Sequence, residues 1–196
     1  VGGDSPTGSA LGDVLDGGVG NDTLEGGRGQ DVFLGGEGDD LFIWVAGDGT
    51  DLMEGGAGNN DTMQFIAGGG DNRLEVFGGG LFGATGNPAP NVFSAGTLED
   101  ASRVIFALNS NAQDGAAVFL NMGDIEDIDI DAGGGADQVI INNQVDGTSL
   151  ATDAIQRGTE LSDTPLRSVN VDAGASDGAG DTVEVHGLLT DDEIDA

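Results

Sequence analysis

A nine-residue phrase repeats without a break from residue 17 to residue 43: GGVGNDTLE, GGRGQDVFL, GGEGDDLFI. Gly holds the first, second and fourth places, Asp the sixth and a large apolar residue the eighth. Outside this run, Gly12-Asp13-Val14-Leu15 ends an earlier unit and Ala46 to Glu54 (AGDGTDLME) is a later one. Gly55 to Met63 is another, with one extra residue, so six units touch or overlap residues 8 to 63. The last three places, as in Thr23-Leu24-Glu25, alternate polar, apolar, polar, which predicts a short strand with its middle residue facing a core. The clustered glycines allow positive φ and a tight turn. A solvated acidic linker has no reason to keep a large apolar residue at each such place through six units.

A turn of this composition points carbonyl oxygens inward, and the sixth-place Asp adds a carboxylate. The phrase resembles the calcium-binding nonapeptide repeat of RTX (haemolysin-type) proteins, the large bacterial secreted type. The resemblance implies an all-β chain, a parallel β-roll or β-helix-like solenoid stacked around Gly-Asp turns, with Ca2+ as its cofactor and export by type I secretion. Calcium takes six to eight oxygens at about 2.3 to 2.6 Å, more than one turn supplies, so a neighbouring turn has to complete each site.

Two units make one coil of 18 residues, and stacked coils place alternate units over one another. Asp13, Asp31 and Asp51 then line one edge, and Asp22, Asp40 and Asp61 the other. Leu15, Phe33 and Met53 face Leu24, Phe42 and Met63 across a thin core. The ligands so expected are those six Asp residues with the turn glycines Gly18, Gly20, Gly27, Gly29, Gly36, Gly38, Gly47, Gly49, Gly56 and Gly58. Because the core is thin, metal has to supply stability that burial does not.

Composition agrees with this chemistry. The chain of 196 residues carries a formal charge of −31, which disfavours nucleic acid and anionic membranes as partners and favours cations. Of the acidic residues, 27 are Asp and 9 are Glu, a bias that short carboxylates at glycine turns explain better than a salt-adapted surface does. No stretch approaches a transmembrane helix and no signal peptide is visible. The ends read as cut from a longer protein, and the absence of Cys does not distinguish compartments.

Three divisions are expected along the chain: a β-roll over 1–80, an irregular insert or capping segment over 81–122, and a second, degenerate repeat segment over 123–196. Residues 1–10 read as a lead-in, and Trp44-Val45 as a two-residue interruption that either loops out or continues the strand from Leu41. Asp71, without a regular glycine frame, is not expected to be a ligand. In the insert, Pro88 and Pro90 mark a loop. Thr97 to Asp100 could cap a helix reaching Leu108, yet Val104-Ile105-Phe106 favours a strand, as does Ala117 to Leu120. In the last segment, Ile128 to Val139 keeps the motif's places, with Asp137 sixth and Val139 eighth. About 41 residues later the phrase returns from Val169, with Asp181 and Val183 in those places. Asp137 and Asp181 therefore join the expected ligands.

Catalysis has little to stand on. His186 is the single His, the cations are five Arg, and nothing places Ser and Asp around His186. Lyases and epimerases that use parallel β-helices need a base and a cation to quench an anion, for which Lys and Tyr are missing. The expectation is a non-enzymatic, calcium-binding structural module of a larger secreted or surface protein. Two alternatives stay open: an adhesin or surface-layer segment contacting glycan or neighbouring copies, and an accessory module of a secreted protease, lipase, lyase or epimerase.

Overall fold

The computed structural model describes residues 3–78, 103–108, 118–141, 161, 164–174 and 180–185. The repeat winds as expected. Strands β1 (Val14–Val19), β3 (Val32–Glu37) and β5 (Asp51–Ala57) pair in parallel on one side, and β2 (Thr23–Glu25), β4 (Leu41–Val45) and β6 (Thr62–Ile66) on the other. Leu15, Phe33 and Met53 stand in register on the first side, and Leu24, Phe42 and Met63 on the second. All six are buried. The eighth-place side chain is the one that the pleat turns inward; its neighbours at the seventh and ninth places turn outward.

The core is one side chain deep from each sheet. Phe33 and Phe42 meet edge to face at 6.1 Å, while the Trp44 ring lies flat on Phe65 at 4.6 Å. Trp44 therefore continues β4 rather than looping out, and its indole N–H donates to the Gly49 carbonyl at 2.9 Å. The residues expected as a lead-in already belong to the stack. Asp4 and Pro6 carbonyls accept the N–H groups of Thr23 and Glu25, and Thr7 bridges in parallel to Glu25.

Beyond β6 the winding changes. The chain enters β7 (Arg73–Gly78) in the larger sheet, but β7 does not lie on β5. Between them stand β9 (Val118–Gly123), parallel to β5, and β8 (Val104–Leu108), antiparallel to both β9 and β7. Val104-Ile105-Phe106 is thus strand, and so are Val118 to Leu120 from the segment expected to be irregular. Every residue of β8 is buried, as are Leu74–Gly78 and Phe119–Gly123, so both faces of these strands are covered. Continuous apolar runs are what two-sided burial requires, and they cannot show the alternation of the repeat. Arg103 ties the insertion down: its guanidinium reaches Glu54 Oε1 at 2.8 Å and also donates to Asn121 Oδ1.

Regular stacking then resumes. β10 (Asp127–Asp131) pairs on β6 and β11 (Gln138–Ile141) on β7; β12 (Ser168–Asp172) pairs on β10 and β13 (Thr182–Val185) on β11, all in parallel. The phrase that returns after about 41 residues is the β10–β12 register, Asp127 opposite Ser168. The larger sheet has the order β1-β3-β5-β9-β8-β7-β11-β13, and the smaller β12-β10-β6-β4-β2. β13 is the last strand of the larger sheet, and its Val183 and Val185 are 48% and 43% exposed despite their apolar places.

Candidate metal centre

In the repeats every sixth-place Asp after Asp13 serves two coils. Its Oδ1 accepts the backbone N–H of the corresponding Asp one coil earlier. Asp31 accepts from Asp13 and Asp51 from Asp31, both at 2.8 Å, which forms the first row. Asp40 accepts from Asp22 and Asp61 from Asp40, also at 2.8 Å, which forms the second. Asp22 takes in addition the N–H of Asp4, and Glu126 Oε2 takes that of Asp61 at 2.9 Å, so the second row is longer at both ends than the repeat indicates. These bonds fix the carboxylates against the stack.

The other carboxylate oxygen is left over. Oδ2 of Asp22, Asp31, Asp40, Asp51, Asp61 and Asp137 is buried without a hydrogen-bond partner. In the glycine-led units it lies across its own turn, beside the first-place glycine: Asp22 Oδ2 is 2.8 Å from where a Cβ on Gly17 would stand, and Asp61 Oδ2 is 2.7 Å from one on Gly55. Asp31 and Asp40 approach Gly26 and Gly35 closer still. In these four units a side chain there would crowd that oxygen, whereas the units of Asp51 and Asp137 carry Ala46 and Ala132 at the first place.

The remaining glycines shape the turn. Gly18, Gly20, Gly27, Gly29, Gly36, Gly38, Gly47 and Gly56 have positive φ, the region that L side chains avoid. Gly49 and Gly58 lack it. They are needed for close approach, since a Cβ on either would strike the carbonyl oxygen of Gly29 or Gly38 in the coil before. Likewise a Cβ on Gly36 or Gly38 would strike the Gly18 or Gly20 carbonyl oxygen, so carbonyls of one turn point at the next along each edge.

Burial of these anions is costly. An isolated ionised carboxylate held away from water without a counter-charge is strongly unfavourable. Burial accordingly pushes Asp51 up to about 7 and Asp61 up to about 6, hydrogen bonds from Asp31 and Asp40 opposing the rise and nearby carboxylates adding to it. Asp31 and Asp40 are raised for the same principal reason. Among the described residues no three His, Cys, Asp or Glu side chains converge, so a metal held here draws most of its oxygens from backbone carbonyls. A donor set of carboxylates and carbonyls, without sulfur or imidazole, suits calcium and not zinc.

The expected ligands are not equivalent. Asp13 Oδ2 is satisfied by the Ser9 N–H at 2.7 Å and the Ser9 hydroxyl at 2.8 Å. Asp181 Oδ1 accepts the Asp137 N–H at 3.1 Å, but Asp181 is exposed, and Ala179 stands where the repeats have their fourth-place glycine. Asp137 is 1% exposed and keeps the repeat geometry, with Gly133 and Gly135 at positive φ. Asp71 is exposed and accepts the Ala136 N–H. Two residues that spacing did not single out also occupy row positions, Asn72 beneath Asp137 and Glu126 beyond Asp61. Both stand two residues before a buried apolar residue, Leu74 and Ile128, a signal that was available. At the far end of the second row, Arg167 donates to Asn60 Oδ1 at 3.0 Å and to the Asn59 carbonyl. His186 lies outside the described residues.

Residues 7–42 and 45–61 match the RTX calcium-binding nonapeptide repeat family (HemolysinCabind) in four copies. No curated protein and no solved structure matches the chain. The repeats of this family bind calcium, and secretion is typical of the proteins that carry them. Matched phrase, parallel two-sided winding and rows of glycine-framed aspartates coincide over one segment: residues 7–61 are RTX calcium-binding nonapeptide repeats wound as a β-roll.

Proposed function

We propose that the chain is a calcium-loaded structural module of a larger secreted or surface protein of bacteria, acting as a spacer, cap or carrier and folding once it meets external calcium. One observation carries the reading: the buried, unpartnered Oδ2 atoms of Asp22, Asp31, Asp40, Asp51 and Asp61, repeated in two rows between turns whose carbonyls face the same space. Five buried anions so arranged are a liability without cations and a ready donor set with them. Bound calcium would neutralise each row and hold successive turns together.

The module is read as non-catalytic. Its buried carboxylates are committed to the N–H groups of neighbouring coils, and the apolar places are spent on a core one residue deep. Thermal melts of the full chain test the reading: millimolar calcium should raise the melting temperature by more than about 10 °C, while equal magnesium, which demands near-ideal octahedral geometry and keeps its water, should not. Equal response to both ions, or to neither, would contradict it.

A further inference from the structure

Along the second row, Asp22, Asp40, Asp61, Glu126 and Arg167 each stand two places before an inward apolar residue: Leu24, Phe42, Met63, Ile128 and Val169, which share one parallel register. Four acids are followed by a cation.

The turns of this edge change just before it. Seven residues, 55–61, separate Glu54 from Thr62, whereas three separate their partners one coil on, Gly123 and Asp127. Those three are Asp124-Ile125-Glu126, without glycine. A Cβ on Gly55 would strike the Asp124 carbonyl oxygen, Glu126 Oε2 accepts the Asp61 N–H at 2.9 Å, and Ile125 is buried in the core. The short turn thus meets only the two ends of the longer one. Its carbonyls are too few to face the outer part, as successive turns of the repeats do.

Arg167 reaches that outer part instead. Its backbone N–H donates to the Glu126 carbonyl at 2.7 Å, which sets it in the row. Its guanidinium donates to the Asn59 carbonyl and to Asn60 Oδ1 at 3.0 Å, 108 and 107 residues back. Asp127 steadies the guanidinium: Oδ2 is 3.4 Å from the same nitrogen, and Oδ1 accepts the Ser168 hydroxyl at 2.6 Å. A guanidinium stays charged at any pH at which a fold survives, and it presents its donors in a fixed fork. It meets carbonyl and carboxylate oxygens with positive charge, as a metal does, and needs no supply from solution.

We propose that Arg167 is a resident cation that ends the second row, standing over turn 55–61 where the repeats place calcium between turns. The role rests on the reading of the rows as cation sites and sets a limit on it. Metal fills the row as far as turn 55–61, and beyond that turn the chain supplies its own charge. The same contacts tie the start of β12 to turn 55–61 across the short turn, so the joint between the repeats and the later coils is held without calcium.

Amide hydrogen exchange on the calcium-saturated full chain tests this, with Arg167→Gln and Arg167→Lys beside wild type. Arg167→Gln removes the charge and keeps a polar side chain. The Glu126 and Ser168 amides should exchange at least about tenfold faster in it, while those of Asp22 and Asp40 stay within about twofold. Arg167→Lys keeps the charge and should restore most of the protection. Bound ions, counted by calorimetry, should be equal in number in all three. Unchanged exchange in Arg167→Gln, the result expected of an ordinary surface arginine, would overturn the proposal. So would one ion fewer in that variant, because Arg167 would then support a metal rather than stand in for one. Equal loss of protection in both variants would show that shape and not charge holds the joint, and would also overturn it. If Arg167→Gln does not fold, wild type decides: the Arg167 guanidinium protons should give resolved NMR signals in saturating calcium, and signals averaged with water would contradict the role. A wild-type chain that binds no calcium would overturn the reading of the rows and this role together, whereas the exchange results bear on Arg167 alone.

Discussion

The backbone N–H of Asp31 donates to Oδ1 of Asp51 at 2.8 Å across 20 residues, the same distance as Asp13 to Asp31 across 18. The row is kept although the coil between is longer. The second row does the same, Asp40 reaching Asp61 across 21 residues. Aspartate spacing in the stack is therefore set by the ladder of these bonds, and extra residues are absorbed in the chain between them.

Two separate ladders predict separable calcium rows. Asp31→Asn keeps the acceptor for Asp13 but replaces the orphaned oxygen, so calcium affinity in the first row should fall at least about tenfold. The second row should change little. Amide resonances of Asp22, Asp40 and Asp61, followed by NMR through a calcium titration, would move at wild-type concentrations; equal weakening in both rows would contradict the arrangement.

Trp44 is the single tryptophan, buried on Phe65, with its indole N–H on the Gly49 carbonyl in the turn that leads to Asp51. Its emission should shift to the blue as calcium assembles that turn. Trp44→Phe retains the ring stack and leaves the Gly49 carbonyl without that donor, costing about 1 to 2 kcal/mol in saturating calcium by denaturant titration. Emission that does not respond to calcium would show that this coil forms without it.

Turn glycines should differ sharply in tolerance. Gly38 has φ near +133° and its Cβ would strike the Gly20 carbonyl, so Gly38→Ala should cost at least about 2 kcal/mol. Gly69 has no positive φ and nothing within 4 Å of a Cβ, so Gly69→Ala should stay within about 0.5 kcal/mol of wild type. Similar losses at both positions would contradict the described turns.

Protons and calcium compete for the same carboxylates. Asp51 and Asp61 have folded values of about 7 and about 6, above the roughly 3.9 of an unfolded Asp. In the metal-free protein the folded state therefore holds protons that the unfolded chain has released. Stability from these groups is fully present below about pH 4 and is lost as pH rises through about 6 to 7. Calcium needs the deprotonated form, so its affinity should run the other way, falling as pH drops below about 7. Circular dichroism in chelator between pH 7.5 and 5 should show β signal increasing toward acid. A signal that falls over that range would reverse the sign and contradict the burial of these groups.

Much of the first third was legible because one residue at each place does one job. Gly, Asp and the eighth-place apolar residue each meet a local requirement, and their period sets the register of Leu15, Phe33 and Met53 against Leu24, Phe42 and Met63. The insertion of β8 and β9 was not legible in the same way. Their order in the sheet depends on pairing across 69 residues, as between Asp51 and Leu120, and both faces are buried, so no alternation marks which side is in. Asn72 escaped notice because an amide replaced the expected carboxylate, although its Ala-Gly-Gly-Gly frame repeats before Asp137. Asp4 escaped because a half-coil without the full glycine frame reads as a polar lead.

The central claim is that calcium switches the fold of the repeats. At about 1 mM calcium, a site with a dissociation constant near 0.1 mM contributes roughly 1.4 kcal/mol, and several such sites together approach the whole stability of a small domain. Without metal, the buried carboxylates of Asp22, Asp31, Asp40, Asp51 and Asp61 repel along rows only one coil apart. Circular dichroism at neutral pH, first in EGTA and then with millimolar calcium, tests this most directly. The account predicts a largely unfolded spectrum in chelator that converts to β on adding calcium; a β spectrum that persists unchanged in chelator would contradict it.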